Sequence, residues 1–144
     1  MNINSIMFVC TGNSCRSPMA EQIFADILKS NGIHGVKVAS SGLMCINGMD
    51  MTEEAKQALV NMGIEPYPHY TTRFEPSMIG EYDLIVGMTT THKFMIGILD
   101  NVISMQDIAG YDISDPYGGT QENYDDCAYN IKKALLVLFD NYKK

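Results

Sequence analysis

The chain has no tryptophan, only four cysteines and only two arginines among its 144 residues. No apolar stretch approaches the roughly 18 residues a membrane span needs, so no helical span is expected. The apolar run inside MNINSIMFVC follows no basic residue and stops after a few positions. It therefore reads as a buried strand and not as a signal peptide. Bases are scarce throughout, 10 against 17 acids, for a net charge of -7. A surface of that sign repels nucleic acid and anionic membranes, and neither is expected as a partner. Four cysteines would allow two disulfides, yet a chain this long buries a core without them. With no export signal, free thiols in a reducing cytoplasm are expected. A GxxxxGK[ST] loop is missing, as are the spaced glycines of a dinucleotide fingerprint. No further Cys/His pair completes a structural zinc site around Cys10 and Cys15. No cofactor and no metal are expected.

What the chain does contain suits one globular domain over residues 1–144, with 46% hydrophobic and 19% charged residues. Ile3 to Cys10 is apolar without strict alternation, as in a parallel strand covered on both faces. A helix is expected from Pro18, capped by Ser17, to Asn31-Gly32. Val36 to Ala39 reads as a second strand, and a helix capped by Thr52 runs to Met62 before Gly63. GIEPYPHYTTRFEP is turn-like with a possible short strand, and Ser77 to Tyr82 forms a turn or two of helix. Tyr82 to Met88 is a third strand, Thr89 to Leu99 a helix and Val102 to Met105 a brief fourth strand. The loop QDIAGYDISDPYGGT then leads to a final helix from about Glu122 to Tyr142. Alternation of this kind predicts an α/β fold, one parallel sheet with helices on both faces. Ligands of such sheets bind beyond the carboxyl ends of the strands. CTGNSCRS, SSGLMCING and SDPYGG all fall at such ends.

CTGNSCRS joins a strand to a helix. A turn through Gly12, Asn13 and small Ser14 points successive amides inward as an anion nest, and the helix start adds its positive end. Arg16 can close the nest with a bidentate grip on a phosphoryl group. Cys10, at the strand end, sits at the floor, where amides, helix end and guanidinium all favour the thiolate. A thiolate beneath a phosphate is a nucleophile, and the ring amides stabilise the transferring oxygens. The Cys-to-Arg spacing alone is weak. The preceding strand, the internal glycine, Ser17 and the helix start make it specific. Cys15 either packs under the loop or pairs reversibly with Cys10 against over-oxidation.

A leaving group needs a proton, and Asp115 in SDPYGG is the candidate general acid, then the base for water. Pro116 fixes the backbone beside it and two glycines let the loop bend over a site. Nothing restricts the backbone in the same way at Asp107 or Asp112. Tyr117 is read as an aromatic wall for the substrate. His69 and His92 read as structural or surface residues, Arg73 as a loop tie or surface residue, and the methionine-rich loop 43–51 as a border of the pocket.

VCTGNSCRSPMAE with the later DPYGG resembles the low-molecular-weight protein-tyrosine-phosphatase family, and VASSGL, YDLIVGMTTTHK and the closing helix extend the likeness over essentially the whole chain. The resemblance implies a three-layer α/β/α sandwich with a four-stranded parallel sheet, phosphotyrosine protein phosphatase I-like. It also implies metal-free, two-step hydrolysis of phosphorylated protein substrates. By that likeness Cys10 is the nucleophile, Arg16 and the amides of Thr11, Gly12, Asn13, Ser14, Cys15, Arg16 and Ser17 bind phosphate or a sulfate ion, and Asp115 is acid and base. Asn13 shapes the loop, Ser17 hydrogen-bonds the thiolate, and Cys15 is the redox partner. Phosphotyrosine is the first expected substrate. A bacterial branch with GN[ST]CRSPMAE removes phosphate from protein arginines and is the alternative. Tyrosine-directed members often carry a bulky apolar residue where Ser14 stands and a second aromatic where Gly118 stands, whereas Ser14 lacks the methyl of that branch's threonine. Thioredoxin-linked arsenate reductases share the loop but need two further central cysteines, which EYDLIVGMTTTHK lacks. A non-catalytic phosphopeptide-binding module would require the loss of Cys10, Arg16 or Asp115.

Overall fold

A computed structural model describes residues 3–142. The outer ends of the domain expected over 1–144 lie outside the described residues. The chain runs β1 (Ser5–Cys10), α1 (Arg16–Ser30), β2 (Lys37–Gly42), α2 (Glu53–Asn61), α3 (Met78–Glu81), β3 (Leu84–Gly87), α4 (Thr90–Ile96), β4 (Val102–Ser104), α5 (Met105–Ala109) and α6 (Gln121–Tyr142). All strand pairings are parallel, in the order β2-β1-β3-β4, with β1 at the centre. Register aligns the strand ends: Cys10 lies beside Gly42, Val9 beside Gly87 and Gly87 beside Ser104. The loops that leave these strands therefore start from one edge.

Alternation along β1 sorts its side chains between the two helical layers. Ile6, Phe8 and Cys10 join the larger core, with Met19, Ile23 and Phe24 of α1, Leu59 of α2, and Ile131, Leu135 and Leu138 of α6. Met7 and Val9 face the smaller core with Tyr82, Ile85 and Val102, which Phe74, Met78, Ile79 and Ile96 flank. The expected three-layer α/β/α sandwich with a four-stranded parallel sheet is the observed architecture. Among the described residues no helix is long and apolar enough to cross a membrane.

Several boundaries differ from the sequence expectation. β2 begins at Lys37 and continues to Gly42, because Ser40 and Ser41, polar yet buried, keep pairing with β1. α4 stops at Ile96, where Gly97 leaves helical geometry with φ 137°. Met105 is not a strand residue: Ser104 and Asp107 form a capping box that starts α5 inside the expected loop. Segment 64–74 forms no strand. It has only an isolated bridge between Gly42 and Arg73. Thr52 does cap α2, accepting from the Ala55 amide, and Gly63 at φ 84° follows the helix.

Gly42 marks how closely β2 approaches the loop after β1. A Cβ there would lie 2.7 Å from the Thr11 carbonyl oxygen and 3.0 Å from both the Asn13 nitrogen and its Cβ. Two of those atoms are backbone, so relief requires moving the loop itself. G42A is expected to lower unfolding free energy by about 1–3 kcal/mol in urea titrations. An unchanged midpoint would mean that the loop yields without cost.

Candidate active site

The loop after β1 turns inward because Asn13 adopts φ 55°, the one positive φ of a non-glycine among the described residues. Asparagine tolerates this left-handed region better than most residues, and here its whole polar periphery is engaged. Its amide nitrogen donates to Ser17 Oγ (2.9 Å) and to Ser40 Oγ (3.0 Å). Its side-chain oxygen accepts from the Thr72 amide (2.8 Å), and its carbonyl accepts from His69 Nε2 (2.8 Å). With the loop so held, the Asn13 backbone N–H points at Cys10 Sγ from 3.3 Å, and Ser17 Oγ lies 2.9 Å from the same sulfur. Ser17 Oγ already accepts from Asn13, so its own hydrogen goes to Cys10 or to the Ser41 carbonyl 3.3 Å away. A backbone N–H and a hydroxyl thus converge on one sulfur close to the start of α1.

α1 begins at Arg16, two residues before the expected start at Pro18, with Cys15 at its N-cap and no side-chain cap. Ser17 is therefore not the cap. Its hydroxyl is turned inside, to the sulfur. Arg16 is buried, its Nη1 donating to the Ile113 carbonyl (3.0 Å) and its Nη2 lying 3.6 Å from Asp115 Oδ2. Asp115 Oδ1 accepts the Tyr117 amide (3.1 Å), while the Asp115 side chain stays half exposed. Cys10, Thr11, Gly12, Ser14, Cys15, Arg16, Asp115 and Tyr117 line one crevice of about 200 Å³. Two loops 97 or more residues apart in sequence meet there through Arg16. A wider groove of about 420 Å³ lies behind the 113–119 loop and shares Asp115 and Tyr117. Its only thiol is Cys127, which burial pushes up to about 12. Reactive sulfur chemistry therefore belongs to the smaller crevice. Loop 43–51 runs beside it, donating Leu43 and Met44 amides to the Cys10 and Thr11 carbonyls, but is absent from its lining.

A buried thiol, a buried guanidinium and a half-exposed carboxylate thus face one crevice. Residues 5–144 match the model of the low molecular weight phosphotyrosine protein phosphatases. The chain belongs to that family. The protein-arginine-phosphatase of Bacillus subtilis is 32% identical over 96% of this chain and 97% of its own. The low molecular weight protein-tyrosine-phosphatase PtpB of Staphylococcus epidermidis is 32% identical over 83% of this chain and 86% of its own. The solved YwlE arginine phosphatase, a mutant with a phosphorylated active-site serine in place of cysteine, superposes with a TM-score of 0.89 at 31% identity, covering 97% of this chain and 96% of that one. This chain is a cysteine-based phosphatase acting on phosphorylated protein substrates.

The phosphatase also uses residues that sequence spacing left as background. His69 is buried against Asn13, and His92, 4% exposed, places Nε2 2.9 Å from Thr11 Oγ1 while Nδ1 accepts the Thr89 amide. Neither is a surface histidine. Asp107 caps α5 and pairs with Lys93, which holds its carboxyl below the usual range. Asp112 accepts from the Thr90 amide and hydroxyl at the start of α4. Both acids are thus occupied in capping. Among the described residues no cluster of metal-binding side chains occurs. The one sequence signal for the buried support was the polar pair Ser40-Ser41 at the end of an otherwise apolar strand.

Burial first, then the Arg16 guanidinium, pulls His92 down to about 4, against the opposing carboxylates of Asp112 and Asp115. An unfolded histidine titrates near 6.5. Between those values the unfolded chain binds the extra proton, so this contribution is complete above about pH 6.5 and is lost as pH falls toward 4. H92Q is expected to show a shallower loss of denaturant stability from pH 7 to pH 4.5 than the unsubstituted protein. Parallel pH curves would remove His92 from the acid sensitivity.

Proposed function

We propose that the phosphatase hydrolyses phosphoarginine in proteins through a cysteinyl-phosphate intermediate. The wall of the crevice carries this reading. Ser14 presents a small hydroxyl where tyrosine-directed members often place a bulky apolar side chain, and Gly118, at φ 80° with open space around it, presents no second aromatic beside Tyr117. A phenyl ring would thus be gripped by one exposed ring alone. A guanidino group gains a hydroxyl partner at Ser14 and a cation-compatible face at Tyr117. The nearly full-length match to the Bacillus subtilis protein-arginine-phosphatase supports arginine over the tyrosine substrate first expected from sequence. Phosphotyrosine is the second reading, favoured by the exposed Tyr117 and by the PtpB match.

In the first step Cys10 attacks phosphorus as the thiolate. The P–N bond of phosphoarginine breaks, and Asp115 gives its proton to the departing guanidine. Loop amides and Arg16 hold the equatorial oxygens as charge redistributes over them. In the second step the Asp115 carboxylate takes a proton from water, the oxygen attacks the cysteinyl phosphate, and inorganic phosphate leaves with Cys10 restored as thiolate. The 3.6 Å separation of Arg16 and Asp115 supports this division, because acid and anion clamp then face the same volume.

Side-by-side kcat/KM on phosphoarginine and phosphotyrosine peptides is expected to favour phosphoarginine by tenfold or more, about 1.4 kcal/mol of transition-state discrimination. An equal or reversed ratio returns the assignment to tyrosine. For the residue roles, C10S is expected to abolish turnover. D115N is expected to slow phenyl phosphate by about 10²–10⁴ but p-nitrophenyl phosphate far less, since the better leaving group needs little protonation. Equal losses on both esters would remove Asp115 as the acid.

A further inference from the structure

The segment 64–74 passes under the nest without helix or strand, yet two of its residues, His69 and Thr72, hold Asn13 in its left-handed conformation. Such a segment needs anchoring from elsewhere. Thr71 to Phe74 bond to Gly42 and to loop 43–51, and at its other end Tyr67 is clamped twice onto adjacent residues of α1. The Gln22 side-chain amide, itself buried, bonds the Tyr67 backbone in both directions at 3.0 Å, donating to its carbonyl and accepting from its N–H. The Tyr67 hydroxyl donates to Glu21 Oε2 at 2.5 Å. The other Glu21 oxygen accepts from Ser40 Oγ at 2.7 Å.

We propose that Tyr67 is a remote positioning residue for the nucleophile, its hydroxyl closing a hydrogen-bond relay through Glu21, Ser40, Asn13 and Ser17 to Cys10. The proton directions follow from counting. Asn13 has two side-chain N–H groups, and both are engaged, one on Ser17 and one on Ser40. Ser40 therefore accepts from Asn13 and donates outward to Glu21. Ser17 likewise accepts from Asn13, which leaves its own hydrogen for the Cys10 sulfur at 2.9 Å or the Ser41 carbonyl at 3.3 Å. Glu21 can only accept while ionised, so it fixes the outward sense of the relay. Tyr67 completes it as an obligate donor; burial and the Glu21 carboxylate both push its phenol up, away from ionisation. Tyr67 is 42% exposed and is not among the residues that line the crevice. Its role is carried by what it holds.

This inference rests on Cys10 being the nucleophile, and the experiment separates the two. C10S tests the nucleophile alone. If it turns over normally, that reading fails whatever Tyr67 does. With C10S inactive, Y67F removes one hydroxyl and keeps the ring. It is expected to lower kcat about three- to tenfold with KM within about twofold, the scale of part of one hydrogen bond to a carboxylate felt in the transition state. S40A is expected to do the same, and Y67F on the S40A background to add less than twofold, because the relay is already cut. E21Q, which turns an acceptor into a donor at one end, is the second variant should Y67F fail to fold. It is expected to reduce kcat at unchanged KM. A lowered melting temperature with unchanged kcat, or losses in the double variant that multiply, would overturn the proposal.

Discussion

Asn13 sits in a backbone conformation that costs most side-chain-bearing residues free energy, and it is kept there by bonds from four directions. Helix α1 reaches it through Ser17, strand β2 through Ser40, and the segment 64–74 through His69 and Thr72. That one bent residue aims a backbone N–H at the Cys10 sulfur. Without the bend the loop would carry its amides past the sulfur, and the nest would lose its floor. Strain at functional sites persists only where the surroundings over-determine it. Here three separate stretches of chain do so, and the close packing of Gly42 against Thr11 and Asn13 leaves little room for the loop to relax.

The second requirement is positive charge inside an acidic molecule. The chain carries a net charge of -7, so long-range attraction cannot hold a dianionic phosphoryl group. Local fields must do it, and they are concentrated by burial. Arg16 is withdrawn from solvent, braced by the Ile113 carbonyl, and set beside the first turn of α1. In the proposed mechanism this buried guanidinium, 3.6 Å from a half-exposed carboxylate, is the group that meets the anion. The same guanidinium helps keep His92 neutral, so the positive charge at the site is confined to Arg16 and the helix end.

Much of this was legible in the sequence, and the limits are physical. Local patterns identified every strand, because β1 and β3 are short apolar runs and turn residues bound them. The loop CTGNSCRS and Asp115 stood out in the sequence as candidates because the proposed chemistry needs particular residue types next to one another, and the structure brings them to one crevice. What failed was information that lives in tertiary contacts. Ser17 looked like a cap since serine before an apolar helix usually is one, but Asn13 captures its hydroxyl from the inside. α5 hid within a loop because its capping box, Ser104 with Asp107, overlaps the end of a strand. His69 and His92 looked isolated along the chain and are isolated only there. Their partners, Asn13 and Thr11, lie 56 and 81 residues away.

The four thiols show how environment, and not residue type, selects the reactive group. Cys127 is buried among apolar side chains with only a 3.7 Å contact to the Ser114 carbonyl, and a carbonyl gives a sulfur no stabilisation as an anion. Cys45 makes its contact with another carbonyl, that of Gly42. Cys15 is surrounded by the hydroxyls of Ser14, Thr52 and Tyr124 at 3.5–3.7 Å, long contacts that neither aim a backbone dipole nor close a ring. Cys10 alone has both a backbone N–H and, at 2.9 Å, a hydroxyl held in place by a third residue, Asn13. One of these groups comes from the loop before α1 and the other from its first turn, so loop and helix meet at the same sulfur. Moving the cysteine by one position along β1 would turn its side chain to the opposite face of the sheet, toward the core of Met7 and Val9. The strand's alternation, as much as the loop, thus places the sulfur in the crevice.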